Sequence, residues 1–116
     1  MRILGAVIAM TMAAGAIAQS LDDGFEALRR LDFDRAHAVF SEHALAGDVT
    51  AQIELGFMNA IGEGIPENRV EAYKWFDVAA RGGDAFAAQL RDTLAGRMSA
   101  EEIAEGKARA EAFTPR

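Results

Sequence analysis

The chain has 116 residues, with 12 basic and 18 acidic side chains, a formal net charge of −6 at pH 7, two prolines and no cysteine. A disulfide framework and lipid attachment through Cys are therefore excluded, so stability has to come from packing alone. The acidic balance argues against nucleic acid and anionic membrane surfaces as partners, because like charges repel.

Met1-Arg2 gives a positive start, and Ile3 through Ile17 is apolar or small apart from Thr11. Ala16-Ile17-Ala18 then supplies a small-x-small cleavage site before Gln19. This is the anatomy of a secretory signal peptide over 1–18. The run falls short of the ~20 apolar residues that a spanning helix needs. The expected mature chain is Gln19–Arg116, exported to the periplasm or secreted, with no stable membrane span after cleavage.

Downstream the spacing predicts six helices, at 21–31, 34–46, 49–61, 69–81, 85–97 and 100–113. Asp48 and Asp84 each follow a glycine and precede a helical pattern, as N-caps do. On the third helix Ala51, Leu55, Met58 and Gly62 recur at i, i+4, i+7 and i+11, and Ala72, Phe76, Ala79 and Gly83 repeat that rhythm on the fourth. Between them Gly62-Glu63-Gly64-Ile65-Pro66 is a turn through which no helix continues. Asn68 caps the fourth helix, with Glu71 placed for a capping box. Ser99 and Glu102 offer a second box before the last helix, which stops ahead of Thr114-Pro115. No stretch alternates with the period of a strand, so the fold class is all-α.

An internal repeat underlies this pattern. A shift of 36 residues lays Ala36 on Ala72, Phe40 on Phe76, Ala44 on Ala80, Gly47 on Gly83 and Asp48 on Asp84. A third copy begins with Ala51 on Ala87 and fails where Leu55 falls on Arg91. Gly56 and the alanines let helix backbones approach closely, while Trp75 and Phe76 fill the space between layers.

The run Ala51-Gln52-Ile53-Glu54-Leu55-Gly56-Phe57-Met58, the turn Gly62 to Pro66, and Glu71-Ala72-Tyr73-Lys74-Trp75-Phe76 with Ala79, Ala80 and Gly82 resemble a Sel-one-like repeat. That family's pattern reads roughly A-Q-x-x-L-G-x-M-Y-x-x-G-x-G-V-P, then E-A-x-K-W-[YF]-x-x-A-A-x-x-G. The resemblance covers residues 51–83, within a unit spanning 49–84. Residues 19–48 fit a degenerate first repeat without the glycine loop, and 85–116 a partial repeat with a capping helix. Asn59 stands where the family has Tyr, and the paired cysteines of some secreted members are missing. The resemblance implies a short right-handed α-solenoid of antiparallel helix pairs, about two and a half repeats long, of the tetratricopeptide type. It implies an adaptor or scaffold for other proteins.

Catalytic chemistry is not apparent. His37 and His43 sit six residues apart on one helix, about 240° round its axis, and share no face. The Gly62-Glu63-Gly64 turn lacks the Lys or Ser/Thr of a phosphate loop. Acidic clusters at Asp22, Asp23 and Glu26 and at Glu101, Glu102 and Glu105 suit helix N-termini. No catalytic residue, metal ligand or cofactor is assigned. The candidate partner-binding residues are Ile53, Phe57, Asn59, Ala60 and Ile61, on the flank of the third helix facing away from its core stripe. In a solenoid the first helices of successive units line the concave side. The expected partner is another protein or peptide. The alternatives are a small cell-envelope hydrolase using carboxylates such as Glu63 and Glu102, and a structural subunit of a homodimer stacked end to end. The flank itself is a binding face or is covered by neighbouring first helices or the last helix.

Overall fold

The computed structural model describes residues 19–116; the leader assigned to 1–18 lies outside the described residues. Among the described residues there are six helices and no strand: α1 Leu21–Arg29, α2 Phe33–Leu45, α3 Val49–Ile61, α4 Arg69–Arg81, α5 Ala85–Ala95 and α6 Ala100–Ala112. Each of α1 to α4 packs against the next, α4 continues onto α5, and α6 returns onto α4. None of these helices is long and apolar enough to cross a membrane.

Three of the five connections use one device. After α1, α2 and α4 the residues Leu31, Gly47 and Gly83 take positive φ of 59°, 102° and 101°. Each donates its N–H to a carbonyl three residues back, and the aspartate that follows donates to one five back, which is a Schellman cap. That aspartate (Asp32, Asp48 or Asp84) then accepts the N–H of Arg35, Ala51 or Ala87 and starts the next helix. Two residues thus end one helix and begin another. Only α3 to α4 uses the longer glycine loop, with left-handed Gly62 donating to Met58 O.

Caps explain most shifts from the expected boundaries. α1 ends at Arg29 because the Schellman cap occupies Arg30 to Asp32, where the apolar spacing ran on to 31. α2 starts a residue early because Asp32 is its cap, and α5 stops at Ala95, two residues short of its expected end. Ser99 and Glu102 form the expected box. Asn68 does accept the Glu71 N–H, but the Glu71 carboxylate bonds Lys74 and Arg109 rather than returning to the cap.

The core runs through Ala36, Phe40 and Ala44 of α2, Ala51, Leu55 and Met58 of α3, and Trp75 of α4. Ala72, Phe76 and Ala79 are buried alongside. α3 and α4 meet at Gly56, where any Cβ would collide with the Phe76 ring. α6 approaches α4 in the same way: a Cβ on Gly106 would stand 2.7 Å from Tyr73 Cδ1. Phe113 then meets the Trp75 ring edge-to-face at 5.5 Å, and the Arg116 N–H donates to Leu45 O at 2.8 Å. The last helix is therefore a strap across α4 whose tail reaches the end of α2, and its packing goes to α4 rather than to α5.

Leu31 occupies a left-handed position with its side chain 72% exposed, while its counterparts Gly47 and Gly83 carry no Cβ. A left-handed L-residue costs about 1–2 kcal/mol, partly offset by the ~0.5–1 kcal/mol of backbone entropy that glycine loses. Leu31→Gly should stabilise the protein by about 0.5–1 kcal/mol, raising Tm by a few degrees. A thermal melt checks this; an unchanged or lower Tm would mean that Leu31 packs usefully where it stands.

Candidate partner-binding groove

The flank of α3 that faces away from the core borders α5, and the two helices leave an open apolar groove of about 280 Å³ between them. Phe57, Ala60 and Ile61 form one wall and Leu90, Thr93 and Leu94 the other, with Phe76 at the base and Arg97 just beyond the end of α5. Phe57 is half-buried and held edge-to-face on Phe76, ring centroids 5.6 Å apart. Ile61 is 62% exposed, and Phe86 on α5 is 55% exposed. α5 buries only Ala87 fully, because the strap that could have covered it crosses α4 instead.

Three of the five residues assigned from the sequence come together here: Phe57, Ala60 and Ile61. Ile53 is half-buried one turn earlier and does not line the groove. Asn59 departs from expectation. It is 6% exposed, its amide donates to Leu55 O at 2.9 Å, and its own carbonyl accepts the Asn68 N–H. It belongs to the α3–α4 joint and offers nothing to a partner. Asp77, whose place on the fourth helix suggests an outward side chain, is also buried, at 3% exposure. It accepts Arg81 Nε at 3.1 Å and Arg91 Nη1 at 2.9 Å. A shift of 36 residues sets Arg91 on Leu55, and where Leu55 is a core residue Arg91 makes an ion pair with Asp77. Hydrogen bonds to Asp92 and then Asp77 hold Arg91 well above its ordinary pKa.

Sequence reasoning missed the α5 wall. The 36-residue shift held the signal, since it sets Leu90 on Glu54, Thr93 on Phe57, Leu94 on Met58 and Arg97 on Ile61. The other polar candidates have structural work. His43 Nε2 lies 2.9 Å from Gln19 O, His37 Nδ1 is 3.5 Å from Ser41 Oγ, and Glu102 accepts the Ser99 N–H. No group of three or more metal-ligating side chains occurs among the described residues.

A scan against protein-family models, a search of curated proteins and a search of solved structures each found no match to the chain.

Glu54 borders the exposed flank, two turns before Ile61 on the same stripe of α3. Its partial burial, and then the negative charge of Glu63, raise its pKa above the ordinary 4.5. A carboxyl with a raised folded pKa stabilises the protein while protonated, and that stability is lost as pH rises through the folded value. Glu54→Gln should therefore raise Tm at pH 7, with the gain closing as pH falls below the ordinary Glu range. Melts of both proteins between pH 3 and 7 check it; a pH-independent difference would mean that the charge is not the cause.

Proposed function

We propose that this chain is an exported member of the Sel-one-like repeat class, a short right-handed α-solenoid that acts as a periplasmic adaptor or scaffold by holding another protein in the groove between α3 and α5. One observation carries the reading: the groove is apolar and open although the chain possesses a helix that could have closed it. Apolar side chains clustered beside a groove and rimmed by polar residues are a common feature of interaction sites. Phe57, Ile61, Leu90 and Leu94 offer that patch on adjacent helices, and Phe76 holds Phe57 in place from below.

The repeat assignment draws support from the duties of its pattern residues. Gly56 admits the Phe76 ring, Gly62 ends α3 in a left-handed turn, and Ala51, Leu55, Met58, Ala72 and Ala79 are all buried. Export rests on the 1–18 leader pattern alone. α-Helical grooves of this shape receive a helix or an extended peptide through a few apolar anchors.

A photo-crosslinking amino acid at Phe57, with exposed Lys107 on α6 as control, tests the adaptor in cells of the native host. The expected result is one discrete heterologous adduct at position 57 and none at 107. Adducts only to a second copy would transfer the groove to a homodimer contact. Crosslinks confined within the chain would mean that the groove is closed.

A further inference from the structure

The groove carries a charge pattern as well as an apolar one. Among the described residues Arg97 is the only charged one lining it. Its guanidinium makes no ion pair among the described residues, while neighbouring Arg69 is tied to Glu67 at 3.2 Å and donates to the Arg97 carbonyl at 3.0 Å. A free cation here is against the trend of a chain with net charge −6. Glu54 lies on α3 two turns before Ile61, outside the groove lining. A ligand in the groove meets apolar side chains along both walls and a cation just beyond the end of α5.

We propose that the occupant is an apolar segment of a partner protein that carries an acidic side chain beside its hydrophobic anchors, with the carboxylate paired to Arg97. The proposal rests on the adaptor reading and specifies its partner. Apolar anchors entering between Phe57 and Leu90 and Leu94 supply most of the affinity, as buried centres of interfaces do. The ion pair at the rim sets orientation and selects among apolar competitors, because charges at an interface edge contribute to specificity more than to raw affinity.

The test is selection from a displayed library of random peptides about 15 residues long, enough for four helical turns. The purified protein is one target, and Arg97→Glu and Ile61→Lys are the others. Both altered side chains are exposed, so both variants should fold, which their melts verify. The expected peptides combine aliphatic or aromatic anchors with a flanking Asp or Glu, and lose roughly five- to tenfold in affinity when that acid becomes its amide. On Arg97→Glu the enrichment should turn toward Lys and Arg, and on Ile61→Lys it should disappear. Apolar peptides without an acidic preference, or the same peptides on Arg97→Glu, would overturn the role of Arg97 while leaving the groove as a binding site. No enrichment above that on Ile61→Lys would overturn both.

Discussion

The Phe76 ring packs against the bare backbone of Gly56, and the central helix pair is arranged around that contact. Without a Cβ on Gly56, α3 and α4 approach closely enough to enclose Ala51, Leu55, Ala72 and Ala79, small or compact residues that fill a narrow gap. Close-packed interiors tolerate little change in volume, so this choice of residues fixes the distance between the helices. The Phe76 ring also props Phe57 edge-on, with the rings at 76°. The same side chain is thus the joint of the central helix pair and the base of the groove. Packing and candidate function meet in one residue.

The groove exists because α6 goes elsewhere. In a third full repeat the last helix would pair with α5. Here Gly106 lets it sit on Tyr73, Arg109 reaches Glu71 at 2.9 Å, and Phe113 closes over Trp75. Each of those partners is on α4. Arg91 supplies the complementary reason: where a leucine would invite an apolar partner helix, α5 turns a guanidinium toward buried Asp77. Burying that carboxylate is favourable only because two arginines reach it. α6 therefore straps α4 and leaves α5 bordering an open surface.

Much of this was legible in the sequence, for identifiable reasons. Helix positions followed from apolar spacing, and Asp48, Asp84 and Ser99 announced their caps because such caps are local. Gly56 was readable as a point of close helix approach and Phe76 as a filler between layers, but not their contact with each other. Long-range pairings were not. Asp77 looked like an outward carboxylate until Arg91, fourteen residues on, folded against it. Asn59 looked like a groove residue because it lies beside the apolar flank of α3 in sequence, yet its amide turns back to the Leu55 carbonyl within its own helix. Leu31 hid a Schellman cap, since leucine is a residue from which no left-handed turn is read. The second wall of the groove escaped because α5 departs from the repeat at Arg91, and its apolar residues then seemed unpatterned.

The chain contains no cysteine, so a single introduced thiol reports the exposure of one site without interference. The most direct measurement is the maleimide labelling rate of the folded protein with one cysteine at Ile61, Leu90 or, as a core reference, Leu55. If the groove is open in the free protein, thiols at 61 and 90 react orders of magnitude faster than the one at 55, and at a rate independent of protein concentration. Protection at 61 and 90 equal to that at 55 would contradict the account: constant protection would mean that the chain covers the groove, and protection rising with concentration would mean that a second copy does.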